Sequence, residues 1–325
     1  MITSHPIVTG DRCQLIISVS RPITSFIMSA NQLLEVLIWN SVSIASVFTK
    51  ENLENMPIGA VDGVIDGCLL ELDINEEMVI EKLQKMRQDK AGGADELVPR
   101  LLILIKDEIS YPLTVLFKKS LAEGAVPEDW KRANVSPIYK KGKKNIAENY
   151  RPVSLTSQCS KLMESIIRDE IVQYLEANQL LKDSQHGFRT GRSCLTNILV
   201  FLDKITEWVD QGEMVDAVFL DFAKAFDKVP HQRLLGLLKV ASLGIGGKLF
   251  DWISNLLLNR TQRVCINGIV SIWELVLSGI PQGPLLFLMF INDLDLNIHN
   301  VLLKFADDTK ICSRITRSHG SVRVL

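Results

Sequence analysis

The sequence predicts an α+β fold for this chain of 325 residues. Three observations support this class. Several stretches repeat apolar residues every three or four positions, several short runs are rich in β-branched residues, and two hairpin signals fall in the second half. With 47% hydrophobic and 23% charged residues, the chain has the composition of a globular core rather than of a disordered segment.

We expect helices wherever apolar residues recur on one helical face. The predicted helices cover residues 76–87, 101–121 (as one helix or two), 157–175, 194–209, 234–240, 248–258 and 284–294. The apolar face of the 194–209 helix is expected to point inward, and its residues are Leu195, Ile198, Leu199, Leu202 and Ile205.

Strands are expected where β-rich runs end at turn residues. The predicted strands cover 134–139, 215–221, 262–266, 271–277, 301–305 and 309–312. Asn267-Gly268 is a strong two-residue hairpin signal between two of these strands. A second hairpin is expected to carry Ala306, Asp307 and Asp308 at its tip.

The charge of the chain is unevenly distributed, although its net value is only −2. Residues 51–81 contain nine acidic residues and no Lys or Arg, whereas residues 131–151 contain seven Lys or Arg and one Glu. The run 140–144 within this basic block is turn-like, so it could contact phosphates. A solvated surface is the alternative interpretation.

The sequence also limits where the protein works. The longest apolar run of the second half, 285–291, is far shorter than the roughly 20 residues of a membrane helix. The N-terminus lacks the basic-then-apolar order of a secretory signal. We expect an intracellular protein with no membrane partner, in either the nucleus or the cytoplasm. Its six scattered cysteines are expected to be reduced structural thiols.

Three carboxylates suggest a metal site. Asp307 and Asp308 follow an apolar run, and Asp221 ends another apolar run 86 residues before Asp307. Burying adjacent carboxylates is costly without a counter-charge, and Mg²⁺ is the usual partner of hard oxygen ligands. Two such strand ends brought together by the fold would form a two-metal centre for phosphoryl transfer, which points to nucleotide polymerisation. The alternative is that the Asp pair only forms a turn.

Four further segments surround these carboxylates in a fixed order. They are 149–155, 185–193, 218–227 and 278–283, all before Phe305-Ala306-Asp307-Asp308. The series closely resembles the reverse transcriptase domain of non-LTR retrotransposons, of the LINE and jockey-like kind, over about residues 46–312.

The resemblance implies a right-hand polymerase with fingers and palm that copies RNA into DNA. Its partners would be an RNA template, a DNA primer and dNTPs. Residues 1–45 remain an unassigned segment, 46–120 would form a helical N-terminal extension, and 121–325 the fingers–palm domain. Nothing in the chain resembles the family's thumb or its endonuclease domain, so the thumb is expected to be missing and the domain incomplete at its C-terminus.

The resemblance also implies roles for individual residues. Asp221, Asp307 and Asp308 match the catalytic carboxylates that bind two metal ions, for which Mg²⁺ is expected and Mn²⁺ is a second candidate. Phe226 matches an aromatic gate that would clash with a 2′-hydroxyl. Asp227 belongs to the same motif, with helix capping as the alternative.

The remaining matches concern the incoming nucleotide. Arg189 matches a residue that holds the triphosphate, and Arg151 is a second candidate on the same surface. Gln282 belongs to a loop that packs against the nascent base pair. His186 and His231 lie within motifs and are interpreted as structural.

Two departures from the family favour an alternative interpretation. The thumb is expected to be missing, and Gly283 is followed directly by Pro284, where the family usually has about four more residues. The alternative to an active polymerase is therefore an impaired or inactive remnant of a mobile element, with at most weak nucleic-acid binding. Another palm enzyme, such as a nucleotide cyclase, could use paired carboxylates but would not explain Arg189 and Gln282 together.

Overall fold

The computed structural model describes residues 48–49, 68–143, 146, 149–235, 243–281 and 284–315. The unassigned segment 1–45, Gln282 and Gly283 lie outside the described residues. The α+β class is confirmed, because the described chain combines helices with two separate sheets.

Helices occur at most of the positions that apolar spacing predicts, but residues 236–240 of the predicted 234–240 helix lie outside the described residues. The helices are α1 (Glu76–Gln84), α2 (Pro99–Leu104), α3 (Lys106–Glu123), α4 (Gln158–Ala177), α5 (Cys194–Asp210), α6 (His231–Leu235), α7 (Gly247–Leu257) and α8 (Pro284–Ile291). None of the helices in the described ranges is long and apolar enough to cross a membrane.

Local side-chain chemistry explains where several helices begin and end. The Asn75 side chain accepts the N–H of Met78 before α1. Ser193 and Thr196 form a reciprocal capping box at the start of α5. Gly124, with φ 64°, ends α3 in the left-handed conformation that glycine adopts without a Cβ penalty.

The strands form a five-stranded and a three-stranded sheet. The strands are β1 (Arg132–Tyr139), β2 (Tyr150–Thr156), β3 (Met214–Asp221), β4 (Thr261–Ile266), β5 (Ile269–Val270), β6 (Glu274–Leu275), β7 (Val301–Phe305) and β8 (Asp308–Ile315). The larger sheet has the order β2-β1-β4-β5, with β6 also paired to β4, and the smaller sheet has the order β3-β8-β7. The hairpin at Asn267-Gly268 is confirmed, and both residues have positive φ.

The buried core lies between the helices. It joins residues of α1, α3, α4, α7 and α8, including Val79, Phe117, Ile166, Trp252 and Phe287. The face predicted for α4 is confirmed, because its apolar residues Leu162, Ile166, Ile167, Ile171 and Leu175 are all buried. The partly buried Phe226, a candidate site residue, packs against this core.

The prediction of an inward apolar face on α5 is wrong. Leu195 is 64% exposed, and Ile198, Leu199 and Leu202 are also exposed. The helix contacts the small sheet mainly through the buried Asn197 and through Phe201, whose ring lies edge-on to Phe219 of β3. Because the small sheet has only three strands and β3 lies at its edge, it does not cover the apolar stripe.

Lys304 of β7 connects the small sheet to the segment before α5. Its main-chain N–H donates to Ser184 O (2.7 Å), and its carbonyl accepts from the N–H of His186 (2.8 Å) and from Asn197 Nδ2 (3.2 Å). Its Nζ, which is fully buried, donates to Ile291 O (3.1 Å) and pairs with Asp295, which also accepts from Ser184 Oγ. Burial lowers the pKa of Lys304, and Asp295 opposes this effect.

We predict that Lys304→Met lowers the free energy of unfolding by about 2–4 kcal/mol, because it leaves the Asp295 carboxylate without its buried cation. A double-mutant cycle with Asp295→Asn, followed by urea unfolding, should give a coupling energy above about 1 kcal/mol. The matched control is the exposed pair Lys204–Glu207, whose coupling should stay below about 0.5 kcal/mol. Equal coupling at the two pairs would contradict the prediction.

Candidate active site

The fold brings the three predicted carboxylates to one end of the small sheet. The register pairs Asp221, the last residue of β3, with Asp308, the first residue of β8. Asp308 is also paired with Phe305 of β7, so the turn itself consists of Ala306 and Asp307. The turn is therefore shorter than predicted, because Asp308 belongs to the strand. We call β7, this turn and β8 the carboxylate hairpin.

The three carboxylates have no neutralising partner among the described residues. Asp221 and Asp308 are exposed and Asp307 is half-buried. In the part of the chain that the structure describes, no Lys or Arg forms an ion pair with any of them. Their oxygen donors are of the kind that divalent cations prefer, and three like charges at adjacent strand ends favour a bound cation. However, no three acidic, His or Cys side chains among the described residues already converge into a metal-binding group.

Gln185 and Gly187 hold the turn of the carboxylate hairpin. Gln185 Oε1 accepts the N–H of Gly187 (2.8 Å) and the N–H of Ala306 (3.2 Å), while Gln185 pairs with Lys304 in a parallel β-bridge. Ala306 has a φ of 58°, in the left-handed region. A Cβ on Gly187 would lie 2.4 Å from Ala306 N, so only glycine allows this approach.

The positioning role of these two residues is not evident from the sequence. Both lie in the 185–193 motif, in which the resemblance implies a nucleotide-binding role for Arg189 and a structural role is expected for His186. Their position in that motif suggests that the two residues matter. It does not reveal that they contact a turn about 120 residues later in the chain.

Phe226 lies between two other aromatic rings. Its ring stacks on Phe287 of α8, with centroids 4.3 Å apart and an interplanar angle of 25°. Phe188 approaches it edge-on, at 6.5 Å and 82°. The Phe226 carbonyl accepts the N–H of Ile280 (3.1 Å), so the candidate gate is in contact with the 278–281 loop.

The loop 278–281 is bound to the segment that follows Phe226. The N–H of Gly279 donates to Val229 O, and Ser278 Oγ donates to Asp227 O, both at 2.8 Å. Gly279 has a φ of 88°, and a Cβ there would lie 2.9 Å from Asp227 O. His231 Nε2 donates to Gly279 O (2.6 Å). Gln282, which follows this loop, lies outside the described residues.

The roles considered for the histidines and for Asp227 can be compared with these contacts. The buried His186 donates from Nδ1 to Thr196 Oγ1 and accepts from Arg192 at Nε2. Burial and the neighbouring guanidinium groups lower the pKa of His186, which agrees with a neutral structural residue. Helix capping by Asp227 is not observed, because α6 begins four residues later at His231. Desolvation raises the pKa of Asp227, against the charges of Lys224 and Arg151.

The two predicted arginines differ in their surroundings. Arg189 is mostly buried, and its guanidinium group lies 3.9 Å from Glu176 and 3.7 Å from Asp183 while donating to Lys182 O. It therefore faces protein carboxylates rather than open solvent. Arg151 is exposed on β2, close enough to Asp227 to influence its pKa.

A cavity of the described chain lies apart from the candidate site residues. A cavity of about 260 Å³ lies between α4, α7 and the start of α8, and its lining includes Glu164, Trp252 and Leu286. None of the described catalytic or nucleotide-binding candidates lines this cavity. Lys140, Lys141 and Lys143 are exposed in the turn after β1, which agrees equally with a surface that contacts phosphates and with a solvated surface.

Comparison with known proteins identifies the family of this arrangement. Residues 138–323, more than half of the chain, match the family model described as reverse transcriptase (RNA-dependent DNA polymerase). This match includes the carboxylate hairpin, β3 and the 185–193 motif.

Three relatives from Drosophila melanogaster match most of the chain. A probable RNA-directed DNA polymerase from transposon BS is 30% identical over 226 residues, which are 68% of this chain and 25% of the relative. A probable RNA-directed DNA polymerase from transposon X-element is 28% identical, over 75% of this chain and 28% of the relative. The RNA-directed DNA polymerase from mobile element jockey is 28% identical, over 73% of this chain and 27% of the relative.

The match thus spans only about a quarter of the length of each of these relatives. The chain belongs to the reverse transcriptase family and contains a reverse transcriptase domain of the non-LTR retrotransposon type.

Proposed function

We propose that this chain acts as an RNA-directed DNA polymerase. It would transfer a nucleotide from a dNTP to the 3′-hydroxyl of a DNA primer paired with an RNA template. The observation that carries the proposal is the register that sets Asp221 opposite Asp308, beside a turn that contains Asp307. These are the oxygen donors that nucleotidyl transfer requires at one place.

In this proposal Asp221, Asp307 and Asp308 hold two Mg²⁺ ions, with Mn²⁺ as a second candidate. When bound, the ions lower the pKa of the primer 3′-hydroxyl and stabilise charge on the triphosphate and on the leaving pyrophosphate. The contribution of the protein is to position the carboxylates, and Gln185 and Gly187 do this through the turn at Ala306.

The two sheets take different roles in the proposed polymerase. We assign the five-stranded sheet and its basic turn to the fingers, the carboxylate hairpin with β3 to the palm, and residues 46–120 to an N-terminal extension. Arg151, Arg189 and Gln282 would bind the incoming nucleotide. For Arg189 this requires the triphosphate to replace the contacts with Glu176 and Asp183.

A second candidate is an impaired or inactive remnant that binds nucleic acid weakly. Two observations favour it: the acidic side chains are not already converged into a metal-binding group among the described residues, and Arg189 is engaged with protein carboxylates. The direct Gly283-Pro284 junction also favours it. Primer extension by the wild-type chain decides between the two candidates.

We predict that Asp307→Ala and Asp221→Ala each reduce primer extension on the order of 10³-fold, because each removes a metal ligand worth several kcal/mol of transition-state stabilisation. The assay uses the purified chain with an RNA template, a DNA primer, dNTPs and Mg²⁺. Melting temperatures should stay close to the wild-type value, since the removed charges have no ion-pair partners among the described residues.

The matched control for both variants is Asp216→Ala, which removes an exposed carboxylate from the same strand five residues before Asp221. It should extend the primer like the wild type. If wild-type extension does not exceed that of the Asp307→Ala chain at high protein concentration, the remnant is the correct candidate.

We predict that Gly187→Ala lowers the extension rate by about 10²-fold, because the added Cβ displaces the turn that carries Asp307. The matched control is Gly246→Ala, where the Cβ would meet only the end of the Leu70 side chain at 3.0 Å. Neither glycine has a positive φ, so backbone strain does not separate the two variants. Wild-type extension rates for Gly187→Ala would refute the proposed position of the turn.

We predict that Phe226→Ala reduces the preference for dNTPs over rNTPs by about 10- to 100-fold, because a 2′-hydroxyl no longer meets the ring. The measured quantity is the ratio of kcat/KM for a dNTP to kcat/KM for the matching rNTP. Phe226→Tyr retains the ring and should retain the ratio. An unchanged ratio in the Ala variant would show that Phe226 is not the gate.

A further inference from the structure

We infer that Phe188 is a positioning residue that supports Phe226 and thereby determines how strongly the site discriminates between deoxyribonucleotides and ribonucleotides. This inference rests on the proposed function, with Phe226 as the gate. It extends that proposal to a residue from a different segment, which lies 38 positions earlier in the chain.

Phe226 is supported on two sides by rings of different burial. Phe287, which is 2% exposed and belongs to the core, stacks flat on it at 4.3 Å. Phe188, which is 47% exposed, meets it edge-on at 6.5 Å and 82°, a favourable geometry for an aromatic pair. Phe287 therefore contacts the Phe226 ring from the core, and in this inference Phe188 restricts rotation of that ring on its exposed side.

The backbone of Phe188 adopts a conformation that favours a role beyond core packing. Its φ is 60°, and a bulky residue rarely adopts this left-handed region. Such strain persists only when the surrounding structure imposes it, and it is concentrated at functional sites. Here the preceding residue is held by the Gly187 N–H bond to Gln185 Oε1 and by its close approach to Ala306.

Burial alone does not account for an aromatic ring at this position. Nearly half of the Phe188 side chain is exposed, so the hydrophobic gain that would offset the strained backbone is small. Its edge-on contact with Phe226 is the aromatic contact that the described structure records for it. The same segment that holds the carboxylate hairpin therefore also fixes one side of the gate.

A gate discriminates only if its ring stays in place when a 2′-hydroxyl approaches it. Loss of the Phe188 ring would allow the Phe226 ring to rotate away, which should improve rNTP incorporation more than it impairs dNTP incorporation. Because Phe188 acts through another ring, it affects selectivity and not the metal chemistry.

The test is single-nucleotide primer extension by the full chain, with kcat and KM measured separately for a dNTP and the matching rNTP. Phe188→Ala and Phe188→Leu should each lower the dNTP/rNTP ratio of kcat/KM by about 3- to 10-fold, the range that one aromatic pair supports. Most of the change should be a lower KM for the rNTP. Phe188→Tyr keeps the ring and should keep the ratio.

The matched control is Phe219→Ala, which removes an exposed ring from another edge-on pair, with Phe201 at 5.6 Å and 64°. Its ratio should equal the wild-type ratio. If Phe226→Ala lowers the ratio but both Phe188 variants leave it unchanged, this inference is wrong and the proposed function stands. If Phe226→Ala leaves the ratio unchanged, the gate and its support both fail. If the wild type does not extend the primer, the proposed function fails, and this inference fails with it.

Discussion

The structure depends on the attachment of residues 184–187 to β7 at Lys304. The main chain of Lys304 makes three hydrogen bonds to this segment and to Asn197 of α5, and its buried ammonium group pairs with Asp295. A buried ammonium group is costly unless it is paired and hydrogen-bonded, so displacement of β7 from α8 would break the contacts of Lys304 with Ile291 and Asp295. The carboxylate hairpin begins at this fixed strand.

Residues 185–188, which are attached to Lys304, also contact the candidate site. Gln185 holds the amide of Ala306, Phe188 touches Phe226, and the Phe226 carbonyl binds the 278–281 loop. Two of these three contacts use main-chain N–H groups, whose positions follow directly from the fold. The carboxylate hairpin, the gate and the loop are therefore parts of one packed unit, and a displacement of residues 185–188 would reach all of them.

Much of this architecture could be predicted from the sequence, but only where the signal is local. Apolar spacing located α4 and its buried face, and Asn267-Gly268 located a hairpin, because both depend on residues that are close in the chain. The same spacing failed for α5, since burial depends on whether another element covers the helix, and the three-stranded sheet does not. Gln185 was missed because its partner at Ala306 lies 121 residues away.

The acidic and basic residues of the candidate site differ in whether the protein supplies them with opposite charges. The carboxylates of Asp221, Asp307 and Asp308 have no ion-pair partner in the described chain. The guanidinium group of Arg189, in contrast, lies 3.9 Å from Glu176 and 3.7 Å from Asp183, although its buried Nε has no hydrogen-bond partner among the described residues. Binding of divalent cations would therefore not require any protein ion pair to break. Binding of a triphosphate by Arg189 would require its contacts with Glu176 and Asp183 to break. The triphosphate carries enough negative charge to compete with these two carboxylates. In the proposed polymerase, the backbone already places the three carboxylates at one end of the sheet. Arg189, in contrast, must leave Glu176 and Asp183 before it can bind the triphosphate. Rearrangement of Arg189 would accordingly contribute to nucleotide affinity more than to metal affinity.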